Sequence, residues 1–135
     1  MVARVPALRT TPDFARALLR ADAIFGGAVG LLLIACARPL GAFVGFDRPL
    51  VLMVLGVAFL PYVAALYLGA GRERLRRRLL LLQAIANGVG ALGIGVVLFG
   101  GTSWLTLGGW WTIAALADVA ALFAVAQLYA LRRAG

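Results

Sequence analysis

The chain predicts an all-α fold, a four-helix transmembrane bundle with both termini on one side, and three observations lead there. Hydrophobic residues make up 64% of its 135 positions and charged residues 13%, whereas about a quarter of a soluble domain is charged. The mean hydropathy of +1.01 means more apolar surface than a fold of this size can bury, so the excess must face lipid. Four apolar stretches approach the roughly 20 helical residues that cross a hydrocarbon core of about 30 Å. Strand-like alternation is absent, and lipid admits only helices or closed barrels.

The elements follow in order within a single membrane domain, residues 1–135. Thr11-Pro12-Asp13 is a helix-start signal with proline at the first position, and it opens a span over about residues 14–37. An Arg-containing leader followed by Leu33-Ile34-Ala35-Cys36-Ala37 loosely mimics a cleavable or lipidated signal. Asp22 interrupts the apolar core of such a leader, however, and three more spans follow, so retention is expected. Residues 38–49, bounded by Pro39 and Pro49 and carrying Phe43 and Phe46, read as an outer interfacial loop, a lid or a plain connection. The second span covers about 50–68, with Pro61 predicting a kink. Arg72-Glu73-Arg74-Leu75-Arg76-Arg77-Arg78 forms a charged loop over 71–78, followed by spans at about 79–99 and 107–131.

The charges set the expected orientation. Arg4, Arg9, Arg16 and Arg20 precede the first span, the Arg72–Arg78 run links the second and third, and Arg132 and Arg133 follow the fourth. Only Arg38 and Arg48 fall on the other side. The positive-inside rule therefore puts both termini and the arginine run in the cytoplasm, in a multi-pass inner-membrane topology. Trp104, Trp110 and Trp111 mark the opposite interface, where indole rings prefer to sit. Arg72, Arg74, Arg76, Arg77 and Arg78 are expected to anchor on anionic lipid head groups. The net charge of +8 is thus assigned to the membrane surface and not to nucleic acid.

Several chemistries lack their apparatus in this chain. With no histidine and one cysteine, Cys36, neither a zinc cluster nor a histidine-ligated haem is expected, and no cofactor is assigned. Ser103 and Thr102 have no base near them in sequence, so nucleophilic catalysis is not expected. An intramembrane aspartyl protease built on Asp22 and Asp118 would want a glycine-containing context that is missing. Gly88, Gly90, Gly93 and Gly95 follow neither a strand nor a lysine, so they read as helix-packing positions and not as a phosphate loop.

The polar residues inside the spans carry the functional expectations. Charged groups at membrane depth are costly and usually face the bundle interior. Asp22 sits at inner-leaflet depth on a face that continues through Gly26 and Gly30, a spacing that admits a neighbouring backbone. Asp118 lies near the middle of the fourth span, and Ala117 and Ala121 next to it form a second small-residue face expected to pack helices. Gln83 and Asn87 share a face of the third helix, and Tyr62 follows Pro61. One reading makes Asp22 and Asp118 a protonatable pair in a cavity lined by Tyr62, Gln83 and Asn87. The other makes them interhelical hydrogen-bonding groups, with Asp22 paired to Arg78 or Arg20. Gln127 falls opposite Asp118 on its helix, so both cannot face one centre. A weak repeat aligns Asp22-Ala-Ile-Phe-Gly-Gly27 with Gln83-Ala-Ile-Ala-Asn-Gly88, and Tyr62-Val-Ala-Ala-Leu-Tyr67 with Asp118-Val-Ala-Ala-Leu-Phe123.

Length, four spans and an acid in the first span give a likeness to small multidrug resistance transporters, from which the chain departs in having Asp22 for a glutamate. Arg20-Ala21-Asp22-Ala23, Pro39-Leu40, Asn87 and the closing Gln127-Leu-Tyr-Ala-Leu-Arg132 resemble small four-helix bacterial integral membrane proteins that are DoxX-like in layout. That resemblance implies a fold and no assigned activity. Two roles are carried forward. One is a non-enzymatic accessory or scaffold component, homo-oligomeric or within a larger membrane complex. The other is a small proton-coupled transporter or channel that uses Asp118 and Asp22.

Overall fold

The computed structural model describes residues 12–133; the expectations resting on Arg4, Arg9 and Thr11 lie outside them. Five helices follow in order: α1 (Pro12–Ala35), α2 (Ala37–Val44), α3 (Pro49–Ala70), α4 (Glu73–Phe99) and α5 (Leu107–Arg133). All but α2 are long and apolar enough to cross a membrane, and no strand occurs among the described residues. The chain is therefore an all-helical bundle with four candidate spans.

Two connections differ from expectation. The arginine run is not a loop. Gly69 and Gly71 close α3, and helix resumes at Glu73, so Arg74, Arg76, Arg77 and Arg78 lie in the first turns of α4. The acidic Glu73 suits the positive end of the helix dipole there. Likewise the outer segment is largely helical as α2. It ends at Gly45, whose φ of +94° lets the Gly45 and Phe46 N–H groups donate back to the Gly41 carbonyl. A side chain at Gly45 would also collide with the Trp104 carbonyl, its Cβ falling 2.3 Å from that oxygen.

Thr106 ties this end together. Its hydroxyl donates to the Phe43 carbonyl and accepts from the Gly109 N–H at 2.9 Å, capping α5. Its N–H donates to the Val44 carbonyl at 3.1 Å. These bonds fasten α2 to the α4–α5 connection, which favours a fixed cover over a swinging lid.

The long helices pack as two pairs, α1 with α3 and α4 with α5, with far fewer contacts between the pairs. Small residues set the first pairing. A Cβ at Gly56 would lie 2.6 Å from the Gly30 carbonyl oxygen, and one at Gly26 would lie 2.8 Å from Val63 Cγ1, so the two backbones run nearly in contact. α3 continues through Pro61 without ending. At the arginine-rich end, Leu19, Leu66, Ala70, Leu80 and Ala130 form the buried core that all four spans share.

The second pair uses its glycines differently. Nothing lies within 4 Å of a Cβ placed at Gly88, Gly90, Gly93 or Gly95. Among the described residues, none packs against Gly88 in the expected way. Ala117 is half-buried and Ala121 exposed.

Candidate functional site

Asp22 is the hub of a buried polar cluster that all four spans reach. Its Oδ2 accepts three amide hydrogen bonds: from Gln83 Nε2 at 2.9 Å, Asn87 Nδ2 at 2.8 Å and Gln127 Nε2 at 2.6 Å. Asn87 Nδ2 also reaches Gln127 Oε1 at 3.1 Å, and the Tyr62 hydroxyl donates to Gln83 Oε1. An ionised carboxylate can only accept, so each amide must turn its NH₂ toward Asp22. Tyr62, by occupying the Gln83 carbonyl, holds that amide the right way round.

The cluster is deeply enclosed. Asp22 is 7% exposed, Gln83 5% and Gln127 0%. Each hydrogen bond to Asp22 runs from α1 to α4 or α5, and the Tyr62 bond runs from α3 to α4. All of them therefore cross between the two helix pairs, where apolar packing is thinnest. With about 1.5 Å of rise per residue, Asp22, Tyr62 and Gln83 lie roughly 12–15 Å along their helices from the arginine-rich ends. Gln127 lies about 9 Å in. Asn87 is the deepest at about 21 Å, so the cluster spans about two helical turns.

Above that cluster is a cavity of about 610 Å³. Phe25, Val29, Phe59, Ile94 and Leu116 give it apolar walls, while Asp22, Tyr62, Gln83 and Asn87 supply polarity at one end. Asp22 Oδ1 receives no hydrogen bond from a described residue. Among the described residues, the fully enclosed polar side-chain atoms left without a partner are Arg16 Nε and Arg20 Nε, so Oδ1 is not sealed in the same way. One carboxylate oxygen is thus saturated by the protein, and the other has no described partner, in a residue that lines the cavity. No group of three His, Cys, Asp or Glu side chains among the described residues could hold a metal ion.

The residues singled out from sequence are only partly gathered here. Asp22, Tyr62, Gln83 and Asn87 come together. Asp118 does not: it is exposed on α5, turned away from the cavity. The reason is helical geometry, since nine residues separate it from Gln127, which at 100° per residue puts them on opposite faces. Gln127 took the inward place. The repeat-matched positions divide the same way, for Asp22 and Gln83 meet whereas Tyr62 reaches the cluster and Asp118 faces out. Asp22 is not paired with arginine either; its partners are amides, while Arg20 stacks on Tyr67 with its guanidinium carbon 4.9 Å from the ring centre.

Of the head-group arginines, Arg72, Arg74, Arg77 and Arg78 are exposed. Arg76 is buried, and its Nε donates to the Ala70 carbonyl at 3.3 Å, satisfying an end of α3. Trp104 and Trp111 are exposed at the far end, Trp104 against Phe46 and Trp111 edge-on to Trp110.

No known protein family, curated protein or solved structure matches the chain. The DoxX-like resemblance thus rests on the short motifs alone, and the site must be read from its own chemistry.

Proposed function

We propose that this is a non-enzymatic, multi-pass membrane protein that holds an amphipathic ligand between its two helix pairs, with Asp22 gripping the ligand's polar head. The observation that carries this reading is that Asp22, a residue lining a mostly apolar cavity, keeps one carboxylate oxygen without a described partner. A volume of about 610 Å³ falls in the range of about 300–1,000 Å³ typical of small-molecule sites, which pair apolar walls with a few oriented polar groups. The free oxygen calls for a hydrogen-bond donor, and an ammonium head satisfies it best, because charge-assisted bonds are about twice as strong as neutral ones. The apolar walls suit a hydrocarbon or aromatic body. In this reading the membrane is a bacterial inner membrane, and the arginine bias supports an orientation with the arginine-rich end cytoplasmic, against anionic lipid.

A fluorescent lipophilic amine, dansylcadaverine, tests the reading in nanodiscs. Saturable binding by the wild type, weakened at least about tenfold by Asp22→Asn, is expected, the loss of a charge-assisted bond being worth about 1.5 kcal/mol or more. Equal binding by the two proteins would refute it.

A second reading, a small proton-coupled transporter, draws on the same geometry. The Asp22 cluster joins the pairs beside the apolar core at the arginine-rich end, so a proton taken up at Asp22 would weaken that joint and favour rocking. Its signature is solute-driven proton uptake in proteoliposomes that Asp22→Asn abolishes and Asp118→Asn leaves intact.

A further inference from the structure

Asp118 is the one acidic side chain that the bundle turns outward in mid-span. It lies about 16 Å along α5 from Leu107 and about 21 Å from Arg132, near the midplane of a bilayer roughly 30 Å thick. Its neighbours on that face are Trp111, Leu122, Val125 and Tyr129, with exposures of 63%, 70%, 66% and 47%. A carboxylate at that depth costs at least about 2.5–3.5 kcal/mol on insertion scales. Glutamate-length snorkelling is not open to so short a side chain so far from either interface. A neighbouring helix that covers the group and donates to it removes that cost.

We infer that this face of α5 docks a transmembrane helix of a different protein, one that carries a lysine or arginine at mid-membrane depth. Charge complementarity selects that occupant. A second copy related by a two-fold axis would set Asp118 against Asp118, two like charges in low dielectric. Nor can a second copy offer its own mid-span amides, because the NH₂ groups of Gln83, Asn87 and Gln127 are already engaged with Asp22. A basic side chain supplies both the opposite charge and the donors. Exposed Ala121 and Ala115 beside Asp118 leave room for a partner backbone to come close, as small residues do at membrane helix contacts. Asp118 does not line the cavity, so this docking face is independent of the ligand reading.

The test uses the whole protein, labelled with a donor fluorophore at its C-terminus, in vesicles of phosphatidylethanolamine and phosphatidylglycerol. Acceptor-labelled synthetic helices with a leucine–alanine core carry either lysine or leucine at the centre. The lysine helix should bind the wild type at least about tenfold more tightly than the leucine helix, and both Asp118→Leu and Asp118→Asn should lose most of that preference. Far-ultraviolet circular dichroism and dansylcadaverine binding should be unchanged in both variants, since the side chain is exposed and does not line the cavity. Equal affinity for the two helices would overturn the inference, as would a lysine preference that survives Asp118→Leu. Asp118-dependent energy transfer between copies of the protein would overturn it in favour of self-association.

Discussion

Replacing Asp22 by leucine, and separately by asparagine, should divide stability from binding. Leucine removes the acceptor of three amide hydrogen bonds and leaves the Gln83, Asn87 and Gln127 donors facing hydrocarbon. Side-chain hydrogen bonds within membranes average about 0.6 kcal/mol and reach about 1.7 kcal/mol. Losing three therefore predicts a cost of about 2–5 kcal/mol, since Gln83 and Gln127 are too enclosed to turn to water. Asparagine behaves differently. Its carbonyl can take the place of Oδ2 and keep accepting, while its NH₂ takes the place of the unpartnered Oδ1. That substitution should cost about 1 kcal/mol or less, although it replaces the free acceptor with a donor. Unfolding free energies from steric trapping in bicelles measure both variants. An Asp22→Leu protein within about 0.5 kcal/mol of wild type would refute the hub, and so would an Asp22→Asn protein as unstable as Asp22→Leu.

Other substitutions have distinct expectations. Gly56→Ala would put a methyl 2.6 Å from the Gly30 carbonyl oxygen and should cost about 1–3 kcal/mol through forced separation of α1 and α3. Gly93→Ala, with nothing within 4 Å, should be neutral or stabilise by up to about 1 kcal/mol through helix propensity; the same unfolding assay reads both. Tyr62→Phe removes only the hydroxyl that orients Gln83, so about 0.6 kcal/mol of stability should go, with a measurable loss of dansylcadaverine affinity. Exchanging exposed Arg72, Arg74, Arg77 and Arg78 for glutamine should give mixed orientations. Impermeant thiol labelling of a Ser103→Cys, Cys36→Ala protein would report this, and an unchanged single orientation would remove the arginine run from topology control.

The spans were legible because hydropathy and length decide them almost alone. Their ends were less so. Gly69 and Gly71 disguised a prompt helix restart at Glu73, and the prolines flanking 38–49 hid the eight-residue α2. In the site, Asp22, Gln83 and Asn87 stood out as polar groups in apolar helices, with Tyr62 beside its proline. Gln127 was visible but could not be preferred over Asp118 on periodicity, which says that two residues lie on opposite faces and not which face points inward. Depth was the available signal. Gln127 stands five residues from Arg132, as Gln83 does from Arg78, whereas Asp118 stands fourteen away. Polar groups that must meet across a bundle have to share a level, and only Gln127 did. The open surroundings of the α4 glycines were illegible for another reason, since composition shows that small residues permit close approach and not that a neighbour comes.

In the proposed function the unpartnered oxygen of Asp22 takes the polar head of a bound ligand. Solid-state NMR on protein carrying ¹³C-labelled aspartate, bound to dansylcadaverine with a ¹⁵N-labelled terminal amine, tests it most directly. A nitrogen held at about 2.8 Å from the oxygen, as in a charge-assisted hydrogen bond, predicts strong dipolar coupling to the Asp22 carboxyl carbon. That coupling should vanish in Asp22→Asn and persist in Asp118→Asn. Saturable binding with no coupling to Asp22, or coupling that survives Asp22→Asn, would contradict it.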